Sequence, residues 1–599
     1  MSAAPGTDAG IDARPVDGAV YDLIIVGSGA GGLATAVTAA HLGLNVAVLE
    51  KAPVLGGTTA WSGGWLWVPR NPLATEAGIE EPAEAPMTYL RALMGNRAGD
   101  PQIRRYLETG PEMIRFFRDH TALAFVDGNR VPDFNDLPGA APGGRSVCAA
   151  PFDGRRLGPW IDRLRPPLDI ISLAGMGIAS GADMKHFFAA LRRPGSTLYV
   201  ARRLARHGWD LLRHRRSMQL VNGNALVAAL MRSALDRGVA LFADAPVTAL
   251  RQEGGAITGV TLASGATLSA RRGVVLATGG FPHDPGLQRR LFAPEAGPLH
   301  HSAAPRDNSG DGLRLAEALG AQIRDDLSDA AAWAPVSRVP DGRGGWQNFP
   351  HLIDRAKPGI IAVRGRGERF TNEADSYHRF MRALFAATPD GVAPEAWLIA
   401  DHRAQRRWGL GWARPAPFPL GRYRRNGYLK SGRTLRALAH ACNLDPATLE
   451  ATVARFNAAA LAGEDPDFGR GASAYNRVQG DADHRPNPAL GALTQGPFHA
   501  VRILPGSLGT FAGLDADEYA RVRDGAGRPI PGLFAAGNDL SSIFAGQYPS
   551  GGITLGPAMT FGYIAARVAA GQLAPATDTP TTDTAKTESP VYGDPHAAF

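Results

Sequence analysis

The run Gly27-Ser28-Gly29-Ala30-Gly31-Gly32 carries glycine at its first, third and sixth positions and directly follows an apolar, β-branched stretch. A loop of this kind turns sharply, lets backbone approach a pyrophosphate, and packs a helix on a strand with no side chain between. The helix it opens then aims unpaired N–H groups at the phosphates. Glu50 ends the next apolar run, where an acidic side chain would hydrogen-bond ribose hydroxyls. The chemistry implied is dinucleotide binding, and the motif alone does not separate NAD from FAD. The two cysteines, Cys148 and Cys442, lie far apart and belong to no CxxC or Cys/His spacing. A disulfide framework, zinc site, iron–sulfur cluster or c-type haem is therefore not expected, no metal site is predicted, and a reduced, cytoplasmic setting fits best.

To position these residues the chain needs a βαβ unit, and the pattern supplies one. Residues 21–26 (YDLIIV) read as a strand, 33–42 as an Ala-rich helix and 44–49 (LNVAVL) as a second strand. A further αβ-rich block runs over 222–280, from the helix-like ALVAALMRSALDRG to the strand-like VVLATGG. Strand-like GLFAAGN at 532–538 and a helix with Pro557 at its first position, where the missing N–H costs nothing, close the ordered chain. The stretch from 281 to about 496 is richer in Trp, Pro and loops and reads as an inserted domain. Residues 1–19 and 574–599 are small, polar and Pro-bearing, and are expected to be flexible tails.

The chain has 599 residues, 44% hydrophobic and 20% charged, which excludes a disordered chain, a collagen or a coiled coil and leaves room for more than one domain. A net charge of +7 is small for this length, and only 192–216 concentrates arginine, so nucleic-acid binding is not expected. Residues 23–49 and 540–566 lack formal charges over more than the ~20 residues that span a bilayer. The first is broken by its glycines, His41 and Asn45, the second by Gln547, Pro549 and Pro557, so both read as short buried elements. The start has no basic region followed by an apolar run, and no secretory signal is predicted. Residues 168–182 and 192–216 read first as a buried loop and a solvated helical face. Their alternative reading is an apolar flap with a basic amphipathic surface making weak peripheral membrane contact.

Three segments carry a resemblance: Gly56-Gly57-Thr58-Thr59-Ala60-Trp61-Ser62-Gly63-Gly64, then Ala277-Thr278-Gly279-Gly280, then the block from PGSLGTFAGL through GLFAAGND to GQYPSGGITLGPAMTFGYIAA. They resemble the FAD-dependent oxidoreductases that include fumarate reductase flavoproteins and 3-ketosteroid dehydrogenases, with the 3-ketosteroid 1-dehydrogenase branch nearest. The resemblance spans about 21–570. It implies an α/β fold with an α+β insertion, a Rossmann-type FAD-binding domain (20–282 and 497–573) interrupted by a substrate-binding domain (283–496). It also implies non-covalent FAD, held by the Gly27–Gly32 run, Glu50 and Lys51, by Gly57, Thr58, Thr59, Ser62, Gly63 and Gly64, by Val247, Ala277 and Gly279, and by Gly537, Asn538, Ile553, Thr554 and Leu555. The positive end of the last helix would face the flavin. There is no second GxGxxG after a strand and no CxxC, so electrons should leave for an external acceptor.

The same resemblance assigns the chemistry. Tyr548 and the N–H of Gly552, in YPSGG, match the pair that holds the 3-keto oxygen, and Tyr377, in GERFTNEADSYHRF, matches the base that takes the carbon 2 proton while the carbon 1 hydride goes to the flavin. An ordinary phenol, pKa ~10, is a weak base near neutrality, so its surroundings must assist it. Two departures bear on the substrate pocket. Phe134 stands where the steroid 1-dehydrogenases carry a supporting tyrosine, and Ser550 departs from the Tyr-Pro-Gly-Pro-Gly that they favour. The expected substrate is a 3-ketosteroid or similar polycyclic, apolar ketone, with 1,2-desaturation favoured and 4,5-desaturation the variant. A fumarate-reductase-like ene-reductase on a small unsaturated acid, and a flavin- or ligand-binding protein without turnover, are the alternative readings.

Overall fold

The computed structural model describes residues 10–292, 300–342 and 344–573. Residues 1–9 and 574–599 of the expected tails lie outside that set. Residues 10–19 do not hang free: the Gly18 N–H donates to the Thr267 carbonyl (2.9 Å), Asp17 accepts from the Thr267 N–H (2.7 Å), and Asp12 pairs with Arg163 (2.5 Å). The expected 1–19 tail is therefore shorter, because strand 267–270 offers this segment an edge.

Six strands form the first sheet, in the order Arg521–Arg523, Pro529–Ala535, Val274–Leu276, Leu23–Val26, Val46–Leu49, Ala240–Phe242. All neighbours are parallel except the edge strand Arg521–Arg523. Leu23–Val26 and Val46–Leu49 are buried at every position, as strands covered on both faces must be. The helices Ala30–His41 and Leu555–Ala569 pack against each other beside this sheet, and Asn222–Leu235 lies against the first of them. Leu555–Ala569 begins two residues before Pro557, its expected first residue.

A second, larger sheet runs Trp346–Pro350, Ala331–Pro340, Phe498–Thr510, Ala396–Ala400, Ile360–Arg364, Glu368–Arg369. Its longest strand, Phe498–Thr510, also pairs with His301–Ser302 and Lys430–Gly432. The expected return to the FAD-binding domain at 497 thus falls before a strand whose partners all belong to the second sheet. The chain rejoins the first sheet at Arg521–Arg523. That strand's apolar pattern reads equally well in either sheet, and only its non-local partners decide.

A helical excursion, Ala182–Ala189 and Pro194–His214, interrupts the chain between the first-sheet strands Val46–Leu49 and Ala240–Phe242. The longer helix exposes Leu198, Leu204, Trp209 and Leu212 among its arginines, so its outer face is not simply polar. No described helix is long and apolar enough to cross a membrane.

Candidate active site

A cavity of about 1710 Å³ runs from the first sheet's carboxyl edge toward the second sheet and the helical excursion. Its inner end is built by the glycine run. Gly29 is the N-cap of Ala30–His41 and offers no side chain to the first turn; the Ala30 N–H donates to the Thr59 hydroxyl (3.0 Å), and Gly31 follows on the cavity wall. At Gly57 (φ +47°) and Gly537 (φ +69°), also on the wall, an added Cβ would meet nothing within 4 Å. These glycines border open room, a cradle of the size and donor chemistry a dinucleotide needs. Glu50 accepts from the Ser28 N–H (3.1 Å) and hydroxyl (2.6 Å) through one oxygen and from the Ala52 N–H (3.0 Å) through the other. The second oxygen, with one bond accepted, keeps lone-pair capacity for a ribose hydroxyl. The start of Leu555–Ala569 reaches the same cavity, so two helix N-termini converge on one anion- and flavin-compatible space.

Gly27 and Gly32 serve packing. A Cβ on Gly27 (φ +106°) would sit 2.2 Å from the Ala277 carbonyl oxygen, and one on Gly32 2.0 Å from the Gly27 oxygen. Gly27→Ala is expected to destabilise this domain by about 1–3 kcal/mol, the range for overpacking a tight contact. The purified variant should lose flavin colour on gel filtration, and full retention of colour would contradict the contact.

At the outer end two phenols meet. Tyr377 is the first residue of Tyr377–Ala386, whose N-cap Ser376 accepts from the Arg379 N–H (3.2 Å). Tyr548 sits on the loop before Leu555–Ala569. The Tyr377 hydroxyl donates to the Tyr548 hydroxyl at 2.6 Å, and both side chains are buried. The Tyr548 loop is tied down from three sides: Tyr89 (2.6 Å) and the Phe134 N–H (2.9 Å) donate to the Pro549 carbonyl, and Asn135 donates to the Tyr548 carbonyl (3.3 Å). Gly552 (φ +100°) has no room for a side chain, since a Cβ would lie 2.7 Å from Trp65 backbone. Its carbonyl accepts from the Trp67 N–H (3.1 Å), and among the described residues its own N–H has no acceptor.

Burial pushes the Tyr548 hydroxyl up to about 12, with the Tyr377 hydrogen bond drawing it back. Burial first, and Tyr548 second, hold Tyr377 well above the ordinary phenol range. The opposing charge is Arg355, itself fully buried, which donates to the carbonyls of His351 (2.7 Å), Glu373 (2.8 Å) and Asp375 (3.1 Å) and has no carboxylate side chain paired with it among the described residues. Phe134 stacks on Tyr548 (5.6 Å between centroids, 14°) and meets Tyr377 edge-on (5.7 Å, 81°). It contributes no hydroxyl, but Tyr475, 4.5 Å from its ring, adds a third phenol to the cavity wall.

Of the residues expected at the site, Gly27 to Gly31, Glu50, Lys51, Gly57, Thr58, Thr59, Ser62, Gly63, Gly64, Val247, Ala277, Gly279, Gly537, Asn538, Thr554 and Leu555 line this cavity, as do Tyr377, Tyr548, Gly552 and Phe134. Lys51 is engaged by Asp311 (2.5 Å) and Ser309 (2.7 Å). Gly32 lies behind the wall and Ile553 is buried away from it. Ser550, expected in the substrate pocket, does not line it: its fully buried hydroxyl turns to the Pro132 carbonyl (3.5 Å). Sequence reasoning missed Asn308, which donates to Thr58 (2.9 Å) and to the Gly279 carbonyl (3.0 Å), as well as Tyr475, Arg355 and Lys357. Asn308 lies in an N-S-G-D-G run that reads as a turn, and the others carry no motif at all.

Comparison with known proteins places this geometry. The family profile described as FAD binding domain matches residues 22–555. A 4-oxocyclohex-2-ene-1-carboxylate 5-dehydrogenase of Sinomonas cyclohexanicum is 40% identical over 552 residues, covering 91% of this chain and 93% of that protein. A 3-oxosteroid 1-dehydrogenase of Mycobacterium tuberculosis (strain ATCC 25618 / H37Rv) is 35% identical, covering 91% of this chain and 97% of that protein. Among solved structures, 3-ketosteroid delta1-dehydrogenase from Sterolibacterium denitrificans, in complex with 1,4-androstadiene-3,17-dione, superposes with a TM-score of 0.84 at 35% identity, covering 92% of this chain and all of that one.

Proposed function

The chain belongs to the FAD binding domain family and is an FAD-dependent oxidoreductase, and from that premise we propose that it desaturates a cyclic ketone at the carbon–carbon bond next to the carbonyl. The observation that carries the proposal is the buried Tyr377–Tyr548 pair beside the free Gly552 N–H, at the mouth of the FAD cradle. Tyr548 and the Gly552 N–H grip the ketone oxygen, where negative charge builds as the neighbouring proton leaves; donors so placed are worth about 3–4 kcal/mol each. Tyr377 takes that α-proton, its phenolate favoured by Arg355 and by the positive end of its own helix. FAD held by the glycine run, Glu50 and the start of Leu555–Ala569 would supply the two-electron acceptor for the β-hydrogen, with an external acceptor completing the redox balance. The residues of this chain hold the ring in register and keep water out: Phe134 fills the face where a hydroxyl would otherwise admit it.

Ring A of a 3-ketosteroid, desaturated at the 1,2 bond, is the substrate form drawn from the relatives at 35% identity. A compact 4-oxocyclohexane ring acid is the second form, favoured by the relative at 40%. The exposed leucines and Trp209 among the arginines of Pro194–His214 support a weak peripheral membrane contact. The decisive experiment mixes the oxidised holoprotein anaerobically with a panel of saturated and unsaturated cyclic ketones. Bleaching of the flavin with formation of the enone supports the proposal. A flavin that no ketone bleaches, yet fumarate-like acids reoxidise after chemical reduction, replaces it with an ene-reductase.

Because burial holds both phenols high, the base form is scarce at neutral pH. The bleaching rate constant is therefore expected to climb about tenfold per pH unit from 7 toward 10 with no plateau. A flat profile in single-turnover measurements would remove Tyr377 from the proton step.

A further inference from the structure

The cavity wall holds a cation that the reaction as derived does not use. Lys357 lines the cavity with 7% of its surface exposed. Its ammonium donates to the carbonyls of Gln479 (2.5 Å) and Gly480 (2.7 Å) and lies 5.3 Å over the Trp408 ring. Two of its three donors are thereby used, and its charge is not: among the described residues no carboxylate lies within ion-pair distance. The nearest acids are engaged elsewhere, Asp481 by Arg407 (2.5 Å) and Asp354 by His351 (2.7 Å). Burial lowers its pKa to about 8; the charges of Asp481 and Asp354 draw it partly back, and those of Arg407 and Lys185 add to the lowering. An ammonium buried without a counter-ion is costly to the fold, and capping the end of a six-residue helix is a small return for it.

The position of this cation relative to the reacting end is set by that helix, Ala474–Gln479. Tyr475 and Gln479 stand four residues apart, on one face and about one turn (~5–6 Å) from each other. Tyr475 abuts Phe134, which stacks on Tyr548. The ammonium thus holds the carbonyl end of the helix whose second residue, Tyr475, abuts Phe134, and Lys357 and Tyr475 both line the cavity.

We propose that Lys357 is the docking point for a carboxylate carried by the cyclic-ketone substrate, so that the ring is held at both ends, ketone on Tyr548 and Gly552, acid on Lys357. The inference rests on the ketone-desaturase reading and names the substrate class within it, a keto acid. The shared chemistry is the carboxylate, on a compact ring or on the tail of a steroid.

The test measures equilibrium binding to the oxidised, flavin-loaded full chain by perturbation of the flavin spectrum. The probes are 4-oxocyclohexanecarboxylate and its methyl ester, and a 3-keto-steroid acid and its methyl ester. Wild type is expected to bind one of the acids at least about tenfold tighter than its ester, the lower end for a hydrogen bond to a charged group. In Lys357→Met that acid-to-ester ratio should fall to near one, and Lys357→Arg should restore part of it. Preference confined to the compact acid identifies a monocyclic substrate, and preference for the steroid acid a polycyclic one; both support docking at Lys357. Equal binding of acid and ester by wild type, binding of neither acid, or loss of acid and ester by the same factor in Lys357→Met would overturn it. The wild-type ratio stands even if the methionine variant does not fold. Failure of the parent reading is separate: acid-selective binding with no bleaching by acid or ester leaves the docking point and removes the desaturation.

Discussion

Tyr377→Phe will lower the rate of flavin bleaching by a cyclic ketone by about 10²- to 10⁴-fold, the span of a positioned general base, while flavin content and ketone affinity stay near wild type. The asymmetry follows from geometry. The substitution removes one hydroxyl and its 2.6 Å bond to Tyr548, but the ring keeps its edge contact with Phe134. Tyr548 retains its own proton and can still donate to a carbonyl. Ketone binding should therefore survive and proton removal should not. Wild-type protein in D₂O should exchange the α-hydrogen of a bound ketone, and the phenylalanine variant should do so at the solvent rate. A loss below tenfold, or unchanged exchange, would assign the base to another group, with Tyr475 the first to test.

The second large effect is on stability. Glu373, four residues before Tyr377, is fully buried and takes two hydrogen bonds from Arg369 (2.8 and 2.7 Å), one from Arg470 (2.9 Å) and one from the Ala362 N–H (3.0 Å). Burial alone would push its carboxyl up, but the two guanidiniums outweigh it and hold it at about 2. Asp465 shares Arg369, so Glu373→Gln leaves two buried cations facing one anion. Breaking such a cluster costs about 3–5 kcal/mol. The unfolding midpoint in urea should fall accordingly, and the inserted sheet should lose protease resistance first. The sign with pH is fixed: because the folded carboxyl is depressed from 4.5 to about 2, its stabilisation is full above 4.5 and is lost as pH falls toward 2. Wild type and variant should converge across that window. A parallel pair of curves would mean that the cluster contributes packing alone.

Much of the architecture can be read without coordinates because its signals are local. Leu23–Val26 and Val46–Leu49 appear where continuous apolar, β-branched runs place them, and the helix between starts at Ala30, inside the glycine run rather than after it. The flavin cradle is equally legible, since its residues cluster in three short stretches. The outer end of the cavity is not. Arg355, Lys357 and Tyr475 sit in R-A-K-P-G and A-S-A-Y-N contexts that any loop or helix could carry, and they converge only through non-local contacts. Ser550 shows the opposite failure: only two residues after Tyr548 in sequence, its hydroxyl faces the Pro132 carbonyl rather than the cavity. The boundary expected at 497 misplaces Phe498–Thr510 because only its non-local partners assign it to the second sheet.

Tyr377 opens a helix packed on the second sheet's strand Ala331–Pro340, and Tyr548 with Gly552 lies on the loop leading into Leu555–Ala569 beside the first sheet, so the bond between the phenols spans the seam between the two sheets' elements. A shift of an ångström along that seam would disengage proton removal while leaving the carbonyl grip and the yellow colour intact. Variants far from the cavity can then fail silently, fully coloured and able to titrate with ligand, yet inert. For this molecule spectral integrity is a poor proxy for competence, and the alignment of the two halves is the quantity that selection, or an engineer, has to guard.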